Sequence, residues 1–234
     1  MRTHTRAGGA ALAVLAVSLA LAGCGSDTKT EPTTSTASSS SSSASSSATS
    51  TAAPTSAVAA SGPNETIADY IKKTGITETP VAKGEAGAPV VTLPIPDGWT
   101  DADATKPNGA YAAMDYADPA AAKPVPTIVA MMVKLSDPAK PDEVLGYAAG
   151  EVRNLPGFEG GSGENTKLGG FNGFQIGGTY DKDGGKLFVA QKTIAIPSPN
   201  GLYVLQLNAK STEDGMGPLL GAMSDIDEKT TITP

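Results

Sequence analysis

Along residues 62–234 apolar positions recur in two rhythms, one of three to four residues and one of two, and their order predicts a mixed fold. Ile67, Tyr70, Ile71 and Thr74 share a helix face; Asn64 can cap it, Thr66 and Asp69 have capping-box spacing, and Gly75 stops the helix. That face is narrow, so the helix must pack on something larger. Val90 to Ile95 reads as a strand, and Pro96-Asp97-Gly98-Trp99 as the turn after it. Thr127 to Leu135 is apolar at alternate positions on both sides, the pattern of a central strand covered on two faces. Pro141 to Asn154 carries Val144, Leu145, Ala148 and Val152 at helical spacing before Pro156-Gly157.

Strands follow that helix. One ends at Lys167-Leu168, and Phe174, Ile176 and Tyr180 alternate along the next. Asp181 to Gly185 turns the chain, Leu187 to Ile196 returns, Ser198 to Gly201 turns it again, and Tyr203, Leu205 and Leu207 alternate inward. This is an antiparallel meander. A last helix, about Glu213 to Ile226, puts Met216, Leu219, Leu220, Met223 and Ile226 on one face. The predicted class is α+β, an antiparallel sheet covered by helices. The stretch Asp101 to Lys123, within about 27 residues of predicted loop between two strands, is long enough to suspect a lid.

The first 62 residues have neither rhythm. Arg2 and Arg6 precede a small and apolar run, Ala10 to Ala22, too short to span a bilayer, and residues 1–23 read as a signal peptide. Its end, Leu21-Ala22-Gly23-Cys24, resembles the lipobox of bacterial lipoproteins, which makes Cys24 the expected lipidation site; the alternative is an ordinary secretory signal with a chance cysteine. Two or more acyl chains hold a protein stably on a membrane where one does not. Residues 24–62 are rich in serine, threonine and alanine, including the run Ser38 to Ser43. Such a stretch cannot bury enough apolar surface to offset its ordering entropy, and it is expected to act as a tether spanning about 35 Å. Residues 63–234 are then a single globular domain.

Composition narrows the chemistry. The 234 residues hold one histidine, His4, and one cysteine, Cys24, so a chain processed before Cys24 has no imidazole and no thiol free for catalysis. That excludes imidazole-dependent triads, histidine-ligated zinc and thiolate nucleophiles. Loss of Arg2 and Arg6 leaves 15 cations against 24 acids, a net charge of −9. Nucleic acid and a polybasic grip on lipid headgroups are both disfavoured.

Paired carboxylates remain available, with Asp97, Asp101, Asp103, Asp115 and Glu159 as candidates, but solvated surface charge is the ordinary state of such acids. The expectation is that the protein is not an enzyme and takes no cofactor or metal. Ser26-Asp27-Thr28-Lys29 matches an S-x-x-K pattern inside the tether without partner motifs. Asp181-Lys182-Asp183-Gly184 opens like a calcium loop but lacks the distal glutamate, and a hairpin turn explains it better. Asn64-Glu65-Thr66 matches a glycosylation sequon, where the helix-cap reading is preferred. The glycines between 160 and 185 form no dinucleotide or P-loop pattern.

Binding is what remains. Met114, Met131, Met132, Met216 and Met223 suit either core filling or a lipid-lined cavity. Trp99, Tyr111 and Tyr116 are candidates for stacking on a sugar or covering a pocket mouth, with core packing as the competing role for Trp99.

Several segments resemble the mycobacterial LpqN lipoprotein family: Gly62 to Tyr70, LPIPDGW (Leu93 to Trp99), PTIVAMMVKL (Pro126 to Leu135), NLPGFEG (Asn154 to Gly160), LGGFNGFQIGGTY (Leu168 to Tyr180), Ala190 to Ala209 and the terminal DIDEKTTITP. The resemblance spans essentially the whole chain. It implies a PsbP-like fold, an antiparallel sheet with helices on both faces. It also implies binding of a trehalose-mycolate glycolipid such as trehalose monomycolate outside the cytoplasmic membrane, beside an RND-type mycolic-lipid exporter, with Cys24 as the acylated anchor. A non-catalytic module that scaffolds envelope machinery or engages a host receptor is the alternative.

Overall fold

The computed structural model describes residues 62–234. The segment expected as a signal peptide, Cys24 and nearly all of the expected tether lie outside the described residues.

Four helices and eleven strands alternate along this part. Helix α1 is Ile67–Thr74, α2 Pro141–Gly146, α3 Gly150–Arg153 and α4 Met216–Lys229. The strands are β1 Glu78–Pro80, β2 Val90–Thr92, β3 Trp99–Asp101, β4 Ala110–Tyr116, β5 Thr127–Leu135, β6 Glu159–Gly160, β7 Glu164–Leu168, β8 Phe171–Lys182, β9 Gly185–Ser198, β10 Gly201–Ser211 and β11 Thr231–Thr233. Nine strands form one antiparallel sheet in the order β3-β4-β5-β10-β9-β8-β6, with β7 also on β8 and β1 also on β5. Strands β2 and β11 form a separate pair.

Local chemistry accounts for the ends of these elements. The cap of α1 is Thr66, not Asn64: its hydroxyl accepts from the Asp69 N–H at 3.2 Å while the Asp69 carboxylate accepts from the Thr66 N–H at 2.9 Å. Asn64 instead exchanges hydrogen bonds with Asn154. Gly75 closes α1 in the left-handed conformation, φ 72°. Asp183 and Gly184 both have positive φ, as the tight turn joining β8 to β9 requires.

The core has two sides, separated by the period of two along each strand. Ile128, Ala130 and Met132 of β5, Leu205, Leu207 and Ala209 of β10, and Ile194 and Ile196 of β9 pack with Leu219, Ala222, Met223 and Ile226 of α4. Alternate positions of the same strands, Leu135, Leu202, Val204 and Ala195, pack with Ile67 and Tyr70 of α1, with Val144 of α2 and with Ala148 just beyond it.

Four expectations need correction. The segment expected as a lid contains β4, which joins the sheet between β3 and β5; Ala110 to Met114 are all buried, so no polar alternation marks them as a strand. The helix expected over 141–154 is two short ones. Its second piece crosses the start of α1 so closely that a Cβ on Gly150 would overlap the Glu65 carbonyl. Strand β10 is buried on both sides, because Leu202 and Val204 face α1 and α2. Met216 and Leu220 of α4 are left 37% and 49% exposed, because the buried face is the narrower set Leu219, Ala222, Met223 and Ile226.

Candidate functional site

Strand register builds a groove beside α4. Glu164 of β7 pairs with Gln175 of β8, and Gln175 with Lys192 of β9, so three polar side chains stand in one row on the face that carries α4. Two residues along, the row holds Gly177 and Ala190; two further, Thr179 and Phe188. The middle row has almost no side chain, which hollows the sheet surface between a polar end and an apolar one. Helix α4 runs above with Leu220, Met223, Ser224 and Asp227 on one stripe, again apolar at one end and acidic at the other.

The result is a cleft of about 560 Å³, within the size range of small-molecule sites. Its outer wall is the segment Gly161 to Glu164, where the chain leaves the sheet between β6 and β7. Gly163 is required there: φ is +79°, and a Cβ would come within 2.7 Å of the Gln175 carbonyl oxygen.

Electrostatics concentrate at the polar end. The Lys192 ammonium hydrogen-bonds Asp227, and their side chains are 2% and 40% exposed respectively. Beside them the Gln175 amide donates to Glu164 at 2.7 Å.

Of the sequence-predicted binding residues, Trp99 and Tyr116 come together and Tyr111 does not join them. Trp99 faces Tyr116 across the β3–β4 ladder, ring centroids 5.7 Å apart, and is 6% exposed. The pair borders a second cleft, about 530 Å³, on the other flank of α4 with Pro218, Gly221 and Glu228. Tyr111 is 2% exposed, its hydroxyl bonded to the Val91 backbone. A larger hollow of about 810 Å³ lies under α2 and α3 against β7 and β8, lined by polar groups including Asp142, Arg153, Asn165, Lys167 and Asn172.

Three of the acids singled out earlier, Asp101, Asp103 and Glu159, have structural partners. Burial pushes the Asp103 carboxyl up, but the Ala113 N–H and the ammonium groups of Lys83 and Lys106 outweigh it and hold the group below the usual carboxylate range. Asp101 accepts from the Asp103 N–H, and Glu159 pairs with Lys186 at 2.9 Å. Sequence reasoning missed Glu164, Gln175, Lys192 and Asp227, which lie far apart in the chain. One signal was available, the polar pair Gln191-Lys192 within the otherwise apolar run Leu187 to Ile196.

A sequence model of the family described as probable lipoprotein LpqN matches residues 63–233. The chain belongs to the LpqN lipoprotein family. Lipoprotein LpqN of Mycobacterium tuberculosis is 47% identical over 176 residues, covering 75% of this chain and 77% of that protein. The crystal structure of LpqN involved in cell envelope biogenesis of Mycobacterium tuberculosis superposes with a TM-score of 0.70, covering 74% of this chain and all of the solved one. Membership places this chain among membrane-associated envelope lipoproteins. The groove-forming segments, Gly161 to Gln175 and Phe188 to Asp227, fall inside the matched region.

Proposed function

We propose that this LpqN-family lipoprotein is a non-catalytic carrier, anchored by acylated Cys24 on the outer face of the cytoplasmic membrane. It binds an amphipathic glycolipid of the trehalose-mycolate type and assists transport of that lipid with an RND-type exporter. The scaffold in this reading is PsbP-like, with α4 over one face of the sheet and α1 to α3 over the other. The serine-rich segment 24–62 supplies reach, about 35 Å as a random coil, between the anchor and the domain.

The observation that carries the reading is the polarity of the groove beside α4. Phe188, Leu220 and Met223 supply apolar contact, and Glu164, Gln175, Ser224 and Asp227 supply hydrogen-bonding groups on the same cleft. An amphipathic ligand needs this pairing of an apolar trough with a few polar groups. A protein-interaction module needs an exposed apolar patch with no cavity beneath it. Leu220 is exposed but lines the cleft, which favours the carrier.

Native mass spectrometry of residues 62–234 after incubation with envelope lipid from the host tests this. The carrier reading expects a stoichiometric glycolipid adduct. A folded domain that stays free of lipid would shift the assignment to the interaction module.

A further inference from the structure

We propose that the sheet face covered by α1 to α3 holds a calcium site, built from Glu151, the side-chain amides of Gln191, Gln206 and Asn208, and the Thr193 hydroxyl, with Glu78 as the second charge. It lies on the opposite face of the sheet from the groove beside α4 and does not depend on the glycolipid reading.

Strand register sets the frame. Thr193 of β9 stands opposite Gln206 of β10, and Gln191 opposite Asn208, so four polar side chains form a square on two adjacent central strands. They share the face on which Val204 and Ala195 pack against α1 and α2. Polar groups are seldom buried this deeply: Gln191 is 4% exposed and Thr193 1%. Helix α3 brings Glu151 over the square. Its Oε2 accepts from the Gln191 amide at 3.0 Å and from the Gln206 amide at 3.5 Å, while Gln191 also donates to Asn208 Oδ1 at 3.0 Å.

Two features of the square require a further partner. Gln191 Oε1 and Thr193 Oγ1 are buried with no hydrogen-bond partner among the described residues, a loss that native folds avoid. Gln191 Oε1 shares its amide carbon with the nitrogen on Glu151, and so opens onto the same site. Charge is the second feature. Glu78 lines a small cavity of about 50 Å³ together with Glu151 and Gln206, and neither carboxylate forms an ion pair among the described residues. Two half-buried carboxylates without a counter-charge are costly to hold. One cation answers both features.

Oxygen spacing selects the cation. Turning the Gln191 amide over about its terminal bond sets Oε1 where Nε2 stands, 3.0 Å from Glu151 Oε2 and 3.0 Å from Asn208 Oδ1. Turning Gln206 does the same at 3.5 Å. Oxygens about 3 Å apart are neighbours in the shell of a calcium ion, which takes roughly six to eight of them at about 2.4 Å. No three His, Cys, Asp or Glu side chains converge among the described residues, so amide and hydroxyl oxygens must supply much of the shell. Calcium accepts such ligands, whereas zinc and copper select nitrogen and sulfur. Magnesium keeps several waters and demands a strict octahedron, for which a cavity of about 50 Å³ leaves little room. The affinity expected is that of extracellular calcium modules, a Kd of about 0.1–1 mM. Bound there, the ion ties α3 and β1 to the central strands.

The test uses the complete chain, freed of metal with EDTA and returned to chelator-free buffer. Calorimetric titration with CaCl2 should show one site in that range, and about 10 mM CaCl2 should raise Tm by about 3 °C or more. MgCl2 at the same concentration controls for screening of the acidic surface and should move Tm by about 1 °C or less. Gln191→Met keeps the length of the side chain but not its carbonyl; it and Glu151→Gln should each weaken calcium binding about tenfold or more. If one variant does not fold, the other carries the comparison, and the titration of the unaltered chain stands by itself. No calorimetric site and no calcium shift in the unaltered chain would overturn the proposal and assign the orphaned oxygens to water. Equal shifts with the two salts, or calcium binding unchanged in either folded variant, would overturn it as well.

Discussion

The Tyr111 hydroxyl meets both backbone polar groups of Val91, accepting from its N–H at 3.2 Å and donating to its carbonyl at 3.4 Å. This single side chain ties β4 of the large sheet to the small β2–β11 pair, and it is buried. Removing the hydroxyl leaves a buried N–H unpaired, so Tyr111→Phe should cost about 1–2 kcal/mol of stability. Urea unfolding should show a lower midpoint at unchanged slope. An unaltered midpoint would mean that the tie is energetically idle.

Trp99 is held by the same corner of the fold. It fills space at the sheet edge against Tyr116, so Trp99→Ala should cost about 3–5 kcal/mol, as for other buried aromatic truncations. Affinity for an alkyl maltoside, measured where the variant is still folded, should stay within about threefold, because the groove is on the opposite flank of α4. A large loss of affinity with little loss of stability would move the site to the Trp99–Tyr116 cleft.

Glu78 carries a cost that a mutation can remove. Burial raises its carboxyl above the usual range and the Glu151 charge adds to the effect; neither residue forms an ion pair among the described residues. A carboxyl with a raised folded pKa binds its proton more readily in the folded state. Stability therefore falls as pH climbs from the ordinary carboxylate value through the raised one, and the loss is complete above it. Glu78→Gln should raise the Tm at pH 7 by roughly 2 °C or more and flatten the decline across that window. Thermal melts from pH 4 to 8 read both effects, and an unchanged profile would show that water reaches Glu78 freely.

The hollow in the sheet depends on small side chains. Ala190 stands opposite Gly177 in the middle row and lines the cleft, and Ala190→Leu places a branched chain in the trough. Affinity for the maltoside should fall about tenfold or more, while Tm moves by roughly 2 °C or less. Unchanged binding would mean that the ligand does not lie over the middle row.

Much of this fold was legible because local chemistry decided it. Thr66 and Asp69 announce a helix start by spacing alone, Asp183-Gly184 announces a hairpin, and Thr127 to Leu135 announces a strand inside a sheet. Strand β4 was hidden because AYAAMDY is alanine-rich and buried on both sides, so it shows neither alternation nor β-branched residues. Met216 and Leu220 were misplaced because a helical stripe of five apolar residues is wider than the face that the sheet covers. The groove was hidden for a different reason. Glu164, Gln175, Lys192 and Asp227 meet only through strand register and the docking of α4, and no spacing in the chain links them.

The most direct test of the account is an amide chemical-shift titration of residues 62–234 with n-dodecyl-β-D-maltoside below its micellar concentration. The account predicts saturable shifts confined to Gly161–Glu164, the β9 segment from Phe188 to Lys192, and α4 from Leu220 to Asp227. Shifts centred on Trp99 and Tyr116, or on the polar hollow under α2 and α3, would contradict it.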